Sequence, residues 1–142
     1  MPTEVLYSVK ATATGGGREG HAKTEDGVMD VTLVKPKELG GTGEGGVNPE
    51  QLFATGYSAC FLGAMHFYAG QKKVKVPEDA TVTVSAGIGP REDMGFGLDV
   101  TIEVSLPGLE KDVAEDLVAG AHKVCPYSHA TKGSLNITPK LV

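Results

Sequence analysis

The segment from Asn48 to about Gln71 restricts what this chain can fold into more than any other. Asn48-Pro49-Glu50-Gln51 is a helix start: Asn as N-cap, Pro at the first helical position, a carboxylate in the first turn and Gln three residues after the cap. From Leu52 to Tyr68 the apolar residues then cover nearly the whole helical circumference, so the helix must be buried on several sides. One face of one sheet covers one side. A chain of 142 residues has little further material to surround it, and packing against a second copy resolves the shortage.

The rest of the chain reads mostly as strands. Val5, Tyr7, Val9, Ala11 and Ala13 share one face of a period-two pattern, which predicts a half-buried strand ended by Gly15, Gly16 and Gly17. Arg18 to Lys23 and Val28 to Val34 predict a second and third strand of an N-terminal meander. Pro36 to Val47 holds five glycines and no periodicity, and reads as a mobile surface loop. Val82 to Ile88 and Leu98 to Leu106 alternate strictly and form a hairpin around Gly-Pro-Arg-Glu-Asp-Met-Gly. Leu109, Val113, Leu117, Val118 and Ala121 mark an amphipathic helix that ends before Pro126. A last strand is expected from Leu135 to Leu141. Strands, a central helix, a hairpin, a helix and a strand make one α+β domain over residues 1–142 rather than alternating parallel units.

Composition excludes several classes of function. A formal charge of -5, with Lys and Arg scattered singly, offers no basic stripe for nucleic acid. The N-terminus lacks the basic stretch and apolar core of a signal peptide and reads as the mature start. The most apolar run, Ala59 to Ala69, is interrupted by Gly63 and His66 and falls far short of the roughly 20 residues of a membrane span, so a soluble, cytoplasmic protein is expected. Two cysteines are too few for a stapled secreted scaffold, which leaves metal binding, redox chemistry or plain burial.

The glycine sets Gly15/Gly17/Gly20 and Gly41/Gly43/Gly46 match a dinucleotide pattern, but the first leads into a strand and the second lacks the acidic residue that would hold a ribose. His122, Cys125 and His129, with Cys60 as a fourth donor, suggest zinc. Paired Cys-x-x-Cys knuckles are missing and Pro126 turns the backbone inside the cluster, so no metal is expected and these histidines read as surface groups. His66, on the apolar helix, reads as a hydrogen-bonded core residue. Taken alone, Cys60 is an inert core cysteine. Cys125 stands before Pro126 as N-cap of a short helix through Tyr127 to Thr131, and on residues alone it is the better nucleophile.

A resemblance reverses that order. Asn48-Pro49-Glu50-Gln51-Leu52-Phe53-Ala54-Thr55-Gly56-Tyr57-Ser58-Ala59-Cys60-Phe61 and Val124-Cys125-Pro126-Tyr127-Ser128 resemble the two signature segments of the organic hydroperoxide resistance proteins, a branch of the OsmC-like superfamily. The similarity runs along essentially the whole chain, including the Gly-Arg-Glu-Gly turn at Gly17 to Gly20 and the final Leu-Asn-Ile-Thr stretch. It implies an α+β fold with antiparallel-rich sheets packed on a long buried central helix, in an intertwined homodimer. It also implies a thiol peroxidase in which Cys60 attacks an organic hydroperoxide, Cys125 resolves it as a redox-active disulfide, and Arg18 and Glu50 complete the site.

The chemistry fits those residue types. Only a thiolate attacks a peroxide oxygen, and a buried thiol resists ionisation, so Cys60 needs a cation such as Arg18. Glu50 can hold the guanidinium fork. Condensation with a second thiol captures the sulfenic acid before further oxidation. Phe53, Tyr57 and Phe61, with Tyr127 beside Cys125, are the expected substrate-binding residues, favouring a hydrocarbon tail. No bound cofactor is expected. The resemblance implies an external dithiol of the dihydrolipoyl type, a lipoylated protein or a small molecule, as reductant. A non-catalytic cysteine redox sensor is the alternative. Glu50 and Cys60 stand ten residues apart in one expected helix, so they are predicted to meet only across two chains.

Overall fold

The computed structural model describes residues 1–142 in full and is α+β. The chain forms two compact units, Met1–Leu52 and Phe53–Val142.

In the first unit, β1 (Ala11–Thr14), β2 (His21–Thr24) and β3 (Asp30–Thr32) form an antiparallel meander in the order β1-β2-β3. Ala11 pairs with Thr24 and Thr14 with His21. The turn between them needs glycine: a Cβ on Gly20 would stand 2.0 Å from the Thr14 carbonyl oxygen, and Gly15 and Gly17 have φ of 70° and 63°. That turn carries Arg18. The first strand is shorter than its alternation predicts, and the expected half-buried face of Val5, Tyr7 and Val9 lies exposed. A strand needs a ladder partner, and β2 offers only four residues to β1. Val28–Val34 likewise shortens to β3, with Leu33 bridging to Val47. The glycine-rich loop is not featureless: Lys37–Leu39 form one 3-10 turn, and Gly43 N–H donates to the Lys35 carbonyl. Asn48 and Gln51 form the full reciprocal cap, with Gln51 N–H donating to Asn48 Oδ1 at 2.8 Å and Asn48 N–H to Gln51 Oε1 at 2.9 Å.

Helix α1 (Pro49–Lys72) starts there and runs unbroken through the predicted segment. In the second unit it buries Tyr57, Phe61, Ala64, Met65 and Ala69, a stripe at helical spacing. Thr55, Ala59, Gly63 and Phe67 on the opposite side are exposed, so within one chain the helix is covered on one face. His66 is exposed as well. The expectation of a buried, hydrogen-bonded histidine fails because its position falls outside the buried stripe.

The hairpin of β4 (Thr81–Pro90) and β5 (Phe96–Ser105) pairs Thr81 with Ser105 through Pro90 with Phe96. Val100, Ile102 and Val104 point into the core. Helix α2 (Lys111–Val124) packs Ala114, Leu117, Val118 and Ala121 into the same core. It ends at Cys125, and α3 (Pro126–Thr131) follows at once. The closing strand is much shorter than predicted: β6 (Lys140–Leu141) pairs in parallel with Glu103 and Val104 of β5. Pro139, lacking an N–H, cannot extend the ladder by donating to it.

Candidate active site

The first unit prepares a fixed cation. Arg18, on the β1–β2 turn, donates from Nη1 to Glu50 Oε2 at 2.9 Å and from Nη2 to Glu50 Oε1 at 2.7 Å. This is the bidentate geometry that only a guanidinium provides. Glu50, in the first turn of α1, is mostly buried, whereas Arg18 keeps about a third of its side chain open, at 35% exposure. The paired guanidinium holds the Glu50 carboxyl below the usual carboxylate range, and Glu50 in turn raises Arg18 further. Two of the five guanidinium N–H donors face Glu50, so three remain for other acceptors.

In the second unit the two thiols meet. Cys60 Sγ on α1 and Cys125 Sγ at the α2–α3 corner lie 3.7 Å apart as free cysteines. Their surroundings differ. Cys60 is partly open to solvent, whereas Cys125 is fully buried in the core. Burial pushes the Cys60 thiol above the ordinary cysteine value, a hydrogen bond from the Tyr127 backbone amide draws it back, and the nearby Cys125 adds to the rise. Cys125 does sit at the N-cap of α3 as predicted. Its complete burial nonetheless denies a peroxide the access that Cys60 allows.

Phe53 and Tyr57 pack in the same hydrophobic cluster as the two thiols. Phe53 meets Tyr57 edge to face at 5.7 Å, and Tyr57 and Tyr127 lie 5.6 Å apart between centroids. Gly56 permits the arrangement: a Cβ there would stand 3.0 Å from Tyr127 Oη. Of the four expected substrate-binding residues, Phe53 and Tyr127 reach the surface. Tyr57 and Phe61 are wholly buried, with the Phe61 ring beside His122.

One part of this region escaped the sequence reading. Tyr57 Oη donates to Ser128 Oγ at 3.0 Å, and His122 Nδ1 lies 2.9 Å from the same oxygen. His122 is therefore no free surface group: half-buried, with its imidazole pKa pushed down by burial, it belongs to a hydrogen-bonded hub. The available signal was Tyr57 itself, since a tyrosine on a core-facing stripe must find a partner for its hydroxyl. No three His, Cys, Asp or Glu side chains gather to hold a metal ion, and His122 turns to Ser128. No helix is long and apolar enough to cross a membrane.

Comparisons with known proteins agree with one another. The family model described as OsmC-like protein matches residues 41–140. An organic hydroperoxide resistance protein of Xanthomonas axonopodis pv. citri is 50% identical over 137 residues, covering 96% of this chain and 95% of that protein. The organic hydroperoxide resistance protein OhrB of Bacillus subtilis is 40% identical over 136 residues, covering 96% of this chain and 98% of the relative. Its crystal structure matches with a TM-score of 0.87, covering 97% and 100% of the two chains. The crystal structure of an organic hydroperoxide resistance protein from Elizabethkingia anophelis, 44% identical, matches with a TM-score of 0.91 and covers 98% of each chain.

Proposed function

This chain belongs to the OsmC-like family, within its organic hydroperoxide resistance branch, and from that premise we propose that it is a cytoplasmic thiol peroxidase that reduces organic hydroperoxides to alcohols during oxidative stress. The observation that carries the reading is the thiol pair: a partly open Cys60 within 3.7 Å of a buried Cys125. The Cys60 thiolate attacks the outer peroxide oxygen, the O–O bond breaks, and the departing alkoxide takes a proton to become the alcohol. Cys60 is left as a sulfenic acid. The Cys125 sulfur then forms the S–S bond as the S–O bond breaks, and water leaves with the thiol proton. An external dithiol, of the dihydrolipoyl type in this reading, returns both cysteines to thiols and becomes a disulfide itself.

Cys60 needs help to ionise, because burial is the largest influence on it and opposes the thiolate. We assign that help to the Arg18–Glu50 pair of a second copy. Helix α1 is continuous from Pro49 to Lys72, so ten residues at about 1.5 Å each hold Glu50 and Cys60 of one chain roughly 15 Å apart along its axis. The exposed Ala59, Gly63 and Phe67 face of α1 suits such a partner, and a homodimer would bury it.

A steady-state assay with excess dihydrolipoamide, comparing cumene hydroperoxide with hydrogen peroxide, tests the function. Catalytic turnover is expected, higher for the aryl hydroperoxide because its tail adds apolar contact, and lost in Cys60→Ser. One stoichiometric oxidation without turnover would instead identify a redox sensor.

A further inference from the structure

Ser128 is a buried polar side chain, at 5% exposure, and it ties three helices together around Cys125. From α1, the Tyr57 hydroxyl donates to Ser128 Oγ at 3.0 Å. From α2, His122 Nδ1 lies 2.9 Å from the same oxygen. Ser128 itself sits on α3. Tyr57 supplies the hydrogen of its own bond, the His122 tautomer sets which partner donates in the second, and no buried side-chain N or O atom is left without a partner. His122 and Ser128 stand three residues before and three after Cys125. Cys60 is on the helix that carries Tyr57.

We propose that Tyr57, Ser128 and His122 are positioning residues for the resolving step, locking the α2–α3 corner onto α1 so that Cys125 Sγ stays within striking distance of the Cys60 sulfenic acid. This inference rests on the thiol-peroxidase reading above. To form the disulfide, the two sulfurs must close from 3.7 Å to about 2.05 Å, an approach of roughly 1.6 Å. Cys125 has no freedom of its own to make it: it is fully buried and confined at a corner where α2 ends and α3 begins. Its aim is set by how these helices sit on α1, and the hub is where side-chain hydrogen bonds from all three meet, beside the pairwise Tyr57–Thr131 contact at 3.4 Å and the Tyr68–Asp116 bond at 3.2 Å. Attack by Cys60 on peroxide draws on the corner only through the Tyr127 backbone amide that bonds the Cys60 sulfur, whereas resolution needs the Cys125 sulfur itself to advance. The hub should therefore act far more strongly on resolution than on peroxide attack.

Single-turnover kinetics with cumene hydroperoxide separate the two steps. Loss of the Cys60 thiol reads the first, and appearance of the Cys60–Cys125 disulfide, against dimedone-trappable sulfenic acid and sulfinic acid by mass spectrometry, reads the second. In Ser128→Ala and His122→Leu, thiol loss should slow far less than disulfide formation, which falls roughly ten- to a hundred-fold, the range expected from misplacing a reacting atom by about 1 Å. Sulfinic acid should accumulate at raised peroxide. His122→Asn, which restores a hydrogen-bonding atom near the Nδ1 position, should recover most of the disulfide rate. Disulfide formation at the wild-type rate in both variants would overturn the proposal, as would equal slowing of both steps or no recovery in His122→Asn. If Ser128→Ala does not fold, the His122 pair decides alone, since that side chain is only half-buried. A wild-type protein that forms neither sulfenic acid nor disulfide would instead overturn the peroxidase reading itself.

Discussion

Replacing Gly120 by alanine tests how α2 is seated on α1. Gly120 is buried in α2, and a Cβ built there would stand 2.2 Å from Cε1, 2.3 Å from Cδ1 and 2.4 Å from Cζ of the Tyr68 ring. Ordinary contact begins at 3.4 Å, so the ring or the helix must yield by about 1.2 Å, a displacement far beyond the few tenths of an ångström that a packed core absorbs. Tyr68 is held at its far end too, donating to the Asp116 carboxylate at 3.2 Å, with Lys72 Nζ 5.4 Å from the ring centre. Two effects oppose each other. Alanine is favoured over glycine inside a helix by about 1 kcal/mol. Overpacking typically costs about 1–3 kcal/mol, and disturbing the Tyr68 hydrogen bond removes up to roughly 1 kcal/mol more. These terms span a net destabilisation of roughly 0–3 kcal/mol, centred near 1–2 kcal/mol, read by urea unfolding at matched protein concentration so that association does not shift the comparison. In a Tyr68→Ala background the clash is gone, and the same substitution should stabilise by several tenths of a kcal/mol to about 1 kcal/mol. Equal effects of the substitution in the two backgrounds would refute the packing account.

Two further predictions concern the ion pair. Because Arg18 holds the Glu50 carboxyl below its ordinary value, the pair contributes stability that is fully present above about pH 4.5, where an unperturbed Glu titrates, and is lost as pH falls through the depressed value. The stability difference between wild type and Glu50→Gln should thus be flat at neutral pH, about 1 kcal/mol or less given the exposure of Arg18, and shrink only below that point; a difference that grows on acidification would contradict the assignment. Mixed dimers of Cys60→Ser and Glu50→Ala chains should recover up to half of wild-type activity, because one of their two sites joins an intact Cys60 to the other chain's intact Glu50. A verified mixed dimer without recovered activity would exclude the shared site.

What the sequence disclosed, and what it hid, follows from the range of the interactions involved. The start of α1 was legible to the residue because the Asn48–Gln51 cap is closed within four residues, and the β4–β5 hairpin because strict alternation and the intervening turn define each other locally. The end strands were misjudged for the opposite reason. Val5 to Val9 alternate like a strand, yet the pairing available within the chain stops at Ala11, and Leu135 to Leu141 alternate likewise, yet only Lys140 and Leu141 join β5. Alternation reports which face a strand would bury and says nothing of whether a neighbour exists.

The same limit explains the site. Residue type alone made Cys60 an ordinary buried cysteine and favoured Cys125; the resemblance of the paired signature segments implies the reverse order, and the full burial of Cys125 beside a more open Cys60 favours it. Arg18 and Glu50, 32 residues apart, look like unrelated surface charges until the β1–β2 turn and the first turn of α1 are folded. Ser128 and His122 were hidden more deeply, because Pro126 breaks the helical register between them and their common partner Tyr57 lies 71 residues before Ser128. Long-range polar contacts leave no periodic trace in a sequence. They announce themselves only as a debt: a tyrosine hydroxyl on a core-facing stripe requires a partner somewhere in the fold, and asking where that partner lies leads directly to the corner that holds Cys125.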